Sequence, residues 1–195
     1  MARDNGKIPH SEPLSCLSCP QVSLIGEVDA DMVESFLSRL ADVPKDDRLV
    51  AVEISTLGGD AELARRLVLE VRLAREQLGK RLVFLGKTCV YSAGVTLMSA
   101  FAKDDRYLTR DAVLLIHGRQ LETTIEISGP MRASLPKLRA ACAQVELGIE
   151  LEQDTFRRLI EGSDIALEEI CDKALHNWYV PAEEALERGL VAGLV

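Results

Sequence analysis

The hydrophobic residues of this 195-residue chain fall into short runs, separated by longer amphipathic stretches. The runs at 22–25, 49–54, 82–85 and 112–116 are rich in valine, leucine and isoleucine. Runs this short predict strands rather than helices, and the uninterrupted run at 82–85 is typical of a strand buried on both faces of a sheet. Gly86 is expected to end the run at 82–85 and to begin a tight turn toward residue 92.

The stretches between these runs predict helices. A helix is expected up to about residue 40, capped by Asp29 or Asp31, with one apolar face formed by Met32, Phe36 and Leu40. Asp60 and Gly79 are expected to bound a second helix, with a buried stripe of Leu63, Leu67, Val71 and Leu78. This order of strands and helices predicts an α/β fold of repeated β-α-β units with a mostly parallel sheet.

The remaining segments follow a different pattern. Residues 121–127 alternate like an exposed strand, and a long helix is expected over 137–161. The apolar face of that helix is predicted to comprise Leu138, Cys142, Val145, Ile149, Phe156, Leu159 and Ile160. A helix at 167–175 and a strand at 178–180 follow. Residues 1–20 show no periodicity and are expected to form a flexible tail, while 21–195 form one domain.

The charge balance excludes two classes of partner. Lysine and arginine number 23 against 31 aspartates and glutamates, a net charge of −8. A general nucleic-acid or anionic-membrane binder needs a basic surface. No run approaches the length of a membrane span, and the N-terminus lacks a signal-peptide core, so a cytoplasmic protein is expected. Cys16 and Cys19 form a single C-x-x-C without a second pair, and no metal or cofactor is expected.

Three candidate functional features each follow a predicted buried strand: the pair Gly58-Gly59, then Ser92, then His117. In open α/β sheets, sites form at the carboxyl ends of strands. Ser92 precedes an apolar helix, where free N–H groups and the helix dipole would favour an acyl-transfer nucleophile. A serine there is also the usual N-cap, and a histidine at a strand end is often structural. The three features together favour a catalytic interpretation.

The order of these residues resembles a known family. Gly58-Gly59, Ser92-Ala93-Gly94 and Ile116-His117, with 25 positions from serine to histidine, are similar to the proteolytic subunit of Clp protease, ClpP, a serine peptidase with a crotonase-like fold. The similarity runs from about residue 22 to the C-terminus. It includes the segments 24–32 and 183–191.

This resemblance implies a catalytic machinery. Ser92 would be the nucleophile and His117 the general base, while the N–H groups of Gly59 and Ala93 would form the oxyanion hole. Counting back from Glu184-Ala185, the third triad position falls on Asn177, where the family has aspartate; Asp172 is the alternative. Asparagine can hold an imidazole in one tautomer but cannot offset the imidazolium charge. In a chymotrypsin-type triad that exchange lowers turnover about 10⁴-fold.

The resemblance also implies an assembly. Residues 118–162 would supply a handle strand and a long helix for contact between two stacked heptameric rings. The bound peptide would be flanked by Gly58, Thr123, Thr124 and Ile125. Gly118-Arg119 replaces the usual Gln-Pro, and the glycines that follow it in the family are missing. Substrates would be unfolded polypeptides or short peptides. The N-terminal segment does not match the pore loop of the family, which weakens the case for an AAA+ unfoldase partner.

Two other functions stay open. One is a weakly active or non-catalytic ring subunit that acts as a scaffold or regulator of another peptidase, favoured by Asn177 and the altered handle. The other is a crotonase-type acyl-CoA enzyme, which would use the same oxyanion hole on thioesters. That class does not need a serine and a histidine at this spacing, so it ranks third.

Overall fold

A computed structural model describes residues 13–195 of the chain. The helices are α1 Pro13–Leu17, α2 Ala30–Asp42, α3 Ala61–Leu78, α4 Ala93–Met98, α5 Met131–Ile160, α6 Leu167–Ala174 and α7 Ala182–Glu187. The strands are β1 Val22–Ile25, β2 Leu49–Thr56, β3 Arg81–Tyr91, β4 Arg106–Leu108, β5 Val113–Ile116, β6 Trp178–Pro181 and β7 Gly193–Leu194. No helix of the described range is long and apolar enough to cross a membrane.

The strands form one sheet in the order β1-β2-β3-β4-β7, with every neighbouring pair parallel. Strand β5 pairs in parallel with the second half of β3, and β6 pairs with β5 in the antiparallel direction. The predicted α/β fold with a mostly parallel sheet is therefore confirmed.

The expectation that Gly86 ends the third strand is wrong, because β3 continues through it to Tyr91. A Cβ atom at Gly86 would lie 2.5 Å from Leu108 and 2.7 Å from Val90, so the glycine makes room for these neighbours. Beyond Gly86 the partner of β3 changes from β4 to β5. This change brings the end of β3 beside the end of β5, where Ser92 and His117 follow.

The strands of the centre of the sheet bury both of their faces, as their apolar runs predict. In β2 and β3, alternate residues such as Val52 and Phe84 belong to the main core shared with the helices. The residues between them face the other side of the sheet, in a small cluster of Leu17, Ala51, Val83 and Leu85.

The segment expected to be a flexible tail differs from that expectation in its described part. Residues 1–12 lie outside the described residues. Residues 13–17 form α1, and Leu17 is buried against the sheet. Gln21 also accepts a hydrogen bond from the backbone of Ala51 at 2.8 Å. The chain is therefore packed on the sheet before the predicted domain boundary at residue 21.

The predicted helix caps are observed, whereas the predicted buried stripe of α3 is only partly correct. Asp29 accepts a hydrogen bond from the Met32 N–H at 2.9 Å and caps α2, and Asp60 caps α3 in the same way. Gly79 closes α3 in the left-handed conformation, with φ of 62°. In α3, however, Leu78 is 58% exposed, because the core positions are filled by Ala64, Leu67, Val68, Val71 and Ala74.

The long helix and the predicted handle strand also differ from expectation. Helix α5 begins at Met131, six residues early, and its predicted apolar face is buried only in its C-terminal part, around Phe156 and Leu159. Its other predicted core residues are exposed: Leu138, Cys142, Val145 and Ile149. Residues 121–127 form no strand and are exposed. A strand needs a partner for its backbone groups, and no strand of the described residues pairs with this segment.

A buried arginine fixes the end of α5. The guanidinium of Arg106 is surrounded by main-chain carbonyls and donates to Phe101 at 2.9 Å, Leu159 at 2.6 Å and Arg158 at 2.9 Å. Burial lowers the pKa of Arg106 to about 10. The last carbonyls of α5 lack helical partners, so Arg106 acts as their cap and holds this end of the helix against the sheet.

Candidate active site

Ser92 occupies a strained turn between β3 and α4. Its φ of 53° and ψ of −111° are uncommon for a residue with a side chain. The Ser92 N–H donates to the Leu115 carbonyl at 2.9 Å, which ties the turn to β5. The hydroxyl makes no capping hydrogen bond. The simple N-cap interpretation of Ser92 therefore has no support in this geometry, and strain of this kind often marks functional sites.

The two glycines that follow β2 lie beside this serine. A Cβ atom at Gly58 would lie 2.9 Å from the Ser92 Cβ and 3.4 Å from its hydroxyl oxygen. A Cβ atom at Gly59 would lie 2.6 Å from the Val28 nitrogen. Both glycines have positive φ, 113° and 146°. Glycine is required at both positions, because it adopts positive φ without strain and has no Cβ atom to collide with these neighbours.

Thr56 shapes this glycine loop, and the sequence analysis missed it. Its hydroxyl accepts from the Gly58 N–H at 3.0 Å and donates to the Gly58 carbonyl at 3.2 Å. Its methyl group occupies the space that a Cβ at Gly94 would need, 2.5 Å away. A threonine two residues before a glycine turn is a recognisable signal, because its hydroxyl can satisfy the turn backbone.

Two backbone N–H groups remain free beside Ser92. The pairing of Val28 with the glycine loop uses the Gly58 carbonyl and the Asp60 N–H, each at 2.8 Å, and leaves out the Gly59 N–H. Ala93 is the first residue of α4, where an N–H has no helical partner. Within residues 13–195, neither N–H donates to a hydrogen-bond acceptor. A developing oxyanion needs donors of this kind.

His117 follows β5 and shares a cavity of about 290 Å³ with Ser92, Gly59 and Ala93. No hydrogen bond joins His117 to the Ser92 hydroxyl in the described structure. The His117 Nδ1–H donates to the Gly118 carbonyl at 2.7 Å. Because a carbonyl only accepts, this contact places the proton on Nδ1 and leaves Nε2 as the acceptor. A histidine that is to accept a serine proton through Nε2 needs this tautomer, with its own proton on Nδ1.

Helix α5 supplies a wall of the cavity that sequence reasoning did not assign. The wall comprises Leu151, Glu152, Thr155 and Phe156. Phe156 was predicted only as a core residue. Periodicity along one helix cannot show which of its residues face a cavity formed by other elements.

Asn177 lies next to the cavity without lining it. The antiparallel register pairs Ile116 with Trp178, so that one further pair would place Asn177 opposite His117. The ladder ends there, and Asn177 is exposed with φ of 58°. Across the described residues, its side chain makes no hydrogen bond. Asp172 is exposed on α6 and lines no part of this cavity.

The predicted substrate-flanking residues are only partly brought together. Gly58 approaches Ser92, but Thr123, Thr124 and Ile125 are exposed and do not line the cavity. The described part of the chain contains no cluster of three histidines, cysteines or carboxylates that could hold a metal ion.

Comparisons with known proteins agree with this architecture. No protein-family model matches the chain. The sequence is 26% identical over 190 residues to ATP-dependent Clp protease proteolytic subunit 2 of Treponema pallidum (strain Nichols), which covers 92% of this chain and 83% of that protein. The structure is similar to an Asn-to-Asp mutant of ClpP1 from Listeria monocytogenes, with a TM-score of 0.66 and 16% identity. That match covers 90% of this chain and 91% of the other.

Proposed function

Because this chain is ClpP-like in sequence and fold, we propose that it is a serine-type endopeptidase subunit that cleaves unfolded polypeptides or short peptides. The observation that supports this most is the shared cavity of Ser92 and His117, beside the free N–H groups of Gly59 and Ala93. A nucleophile, a base and oxyanion donors at one place are the parts that acyl transfer needs.

The chemistry follows from these positions. The Ser92 oxygen attacks the scissile carbonyl carbon while His117 Nε2 accepts the serine proton. The tetrahedral oxyanion accepts hydrogen bonds from Gly59 and Ala93. As the peptide C–N bond breaks, His117 returns the proton to the leaving amine. A water molecule, deprotonated by His117, then attacks the acyl carbonyl. The bond from this carbon to the serine oxygen breaks, and His117 returns the proton to Ser92.

Asn177 is our candidate for the third position. The register of β5 and β6 supports it over Asp172, because it places Asn177 next in line opposite His117. Its amide would lie near the Nδ1 side of the ring, beside the Gly118 carbonyl that accepts the Nδ1–H. A neutral amide offsets no imidazolium charge, so we expect slow turnover compared with a triad that contains aspartate.

We further propose that the subunit works within a homo-oligomer, two stacked heptameric rings that enclose the active sites. Large apolar side chains remain exposed along residues 125–149, which supports burial of this surface by another copy: Ile125, Ile127, Met131, Leu135, Val145, Leu147 and Ile149. An AAA+ unfoldase is a second proposed partner. Mass photometry would show a complex near fourteen subunits if this assembly forms.

The function is tested by peptide and unfolded-protein hydrolysis. Wild-type protein is incubated with fluorogenic peptides and with labelled casein, beside Ser92→Ala as the control. Hydrolysis that disappears in Ser92→Ala supports the proposal. Hydrolysis that persists in Ser92→Ala assigns it to a contaminant or to another nucleophile. Consumption of acyl-CoA thioesters without peptide cleavage would instead favour an acyl-CoA enzyme.

A further inference from the structure

The peptide group between Gly118 and Arg119 joins His117 to a carboxylate. On one side, its carbonyl oxygen accepts the His117 Nδ1–H at 2.7 Å. On the other side, its N–H, which belongs to Arg119, donates to the Glu152 carboxylate. A trans peptide is planar, with its C=O and N–H pointing in opposite directions. The three groups therefore form one continuous chain of hydrogen bonds from imidazole to carboxylate.

From this arrangement, and given the proposed function, we infer that Glu152 is a positioning residue for His117, acting through the Gly118–Arg119 peptide group. A charged acceptor on the N–H polarises the peptide and makes its carbonyl a stronger acceptor. This holds His117 in the tautomer with a free Nε2. It also brings negative charge toward the ring at the stage when the ring becomes positive. Asn177 has no charge to supply in that role.

The surroundings of Glu152 fit this role. Glu152 is half-buried in the wall of the cavity and, within the described range, forms no ion pair. Its charge is therefore not cancelled by a bound lysine or arginine. A Cβ atom at Gly118 would lie 3.2 Å from a Glu152 oxygen, so glycine permits this approach.

The side chain of Arg119 anchors the residue that carries this N–H to another helix. Its guanidinium is 25% exposed and pairs with Glu62, in the first turn of α3, rather than with Glu152. Gly118 is also anchored, since its N–H donates to the Ala174 carbonyl at 3.1 Å. Contacts with α3, α5 and α6 thus restrain Gly118 and Arg119, the two residues that share this peptide group.

The test compares charge removal at two neighbouring positions of one helix. Glu152→Gln removes the charge but keeps an amide oxygen that can accept from the Arg119 N–H. Asp154→Asn is the matched control, because Asp154 is 59% exposed and its one ion pair among residues 13–195 is with Arg157 on the same helix. Arg119→Pro removes the N–H itself. Arg119→Lys keeps both the N–H and a cation for Glu62.

The first readout is the labelling of Ser92 by a fluorophosphonate, followed by intact mass. We expect Glu152→Gln to lower the maximal labelling rate about tenfold, which corresponds to the difference between a charge-assisted and a neutral hydrogen bond. The probe concentration that gives half-maximal labelling should not change. Arg119→Pro should lose at least as much, while Arg119→Lys and Asp154→Asn stay within about threefold of wild type. A Glu152→Gln rate equal to that of Asp154→Asn would overturn the inference.

The second readout does not depend on activity. Nitrogen-15 NMR of sedimented, histidine-labelled protein reports the tautomer and the Nδ1 hydrogen bond of His117, assigned with His117→Gln. We expect the wild-type protein and Asp154→Asn to share one Nδ1–H signal that shifts in Glu152→Gln and Arg119→Pro. Identical signals in all four proteins would overturn the inference. If the wild type does not label at all, the proposed function fails, and this readout still decides the role of Glu152.

Discussion

A Cβ atom at Gly58 would lie only 2.9 Å from the Cβ of Ser92. The contact between the glycine loop and the candidate nucleophile therefore exists only because residue 58 has no side chain. Gly59, in the same loop, lines the cavity that contains Ser92. A side chain at residue 58 would have to displace either Ser92 or the loop that carries Gly59, the proposed oxyanion donor.

The first prediction follows from this contact. Gly58→Ala should lower the labelling of Ser92 by about tenfold or more, because the added methyl displaces the loop or the serine. Gly26→Ala is a matched control, since Gly26 has nearly the same φ, 114° against 113°, but no atom within 4 Å of its Cβ position. Equal loss of labelling in both variants would assign the effect to backbone strain rather than to the contact with Ser92.

The second prediction concerns the hydroxyl of Thr56. Thr56→Val leaves the buried Gly58 N–H without its acceptor, at a cost of about 1–3 kcal/mol in the free energy of unfolding. Urea denaturation measures this loss, and fluorophosphonate labelling should slow in parallel. Thr56→Ser keeps the oxygen and should retain most of the labelling rate. A Thr56→Val protein with normal stability and labelling would show that the hydroxyl does not shape the loop.

The third prediction concerns the buried Arg106. Arg106→Met removes the donors to four main-chain carbonyls and should reduce the free energy of unfolding by about 3 kcal/mol. The loss should also speed amide exchange at the C-terminal end of α5, which hydrogen exchange with mass spectrometry can localise. Arg157→Met, at an exposed ion pair on the same helix, should change stability by less than about 0.5 kcal/mol. Similar losses in the two variants would contradict the account of Arg106 as the helix cap.

The fourth prediction concerns acid stability. Hydrogen bonds from Arg188 and then from Lys173 lower the pKa of Glu169 from 4.5 to about 2. A carboxyl with a lowered folded-state pKa stabilises the protein above its unfolded-state value and loses this effect as the pH falls through the folded-state value. The stability difference between wild type and Glu169→Gln should therefore be constant above about pH 5 and shrink between 4.5 and 2. A difference that stays constant over that range would rule out this role.

Local signals in the sequence predicted much of the fold. Helix caps depend on neighbouring backbone groups: the structure selects Asp29 from the two predicted caps of α2, Asp29 and Asp31, and confirms Asp60 and Gly79. The path of β3 through Gly86 could not be predicted in this way. It depends on Leu108, a residue distant in sequence that fills the space beside the glycine.

In the candidate site, too, the sequence predicted some residues and missed those whose place depends on tertiary contacts. The order of Gly59, Ser92 and His117 predicted residues that the structure does bring to one cavity. The part contributed by Glu152 and Thr56 was missed, because it depends on tertiary contacts and on hydrogen bonds to main-chain groups. The strand expected at 121–127 does not form. Alternation within one segment cannot show whether another strand is present to pair with it.

The most direct test of the central claim is intact-mass analysis after fluorophosphonate treatment of wild type, Ser92→Ala and Asn177→Asp. Such a probe reports an activated serine independently of peptide preference. We predict one adduct on wild type, none on Ser92→Ala, and faster labelling of Asn177→Asp, because aspartate offsets the imidazolium charge. Absence of an adduct on both wild type and Asn177→Asp would contradict the claim that Ser92 and His117 form a working nucleophile and base.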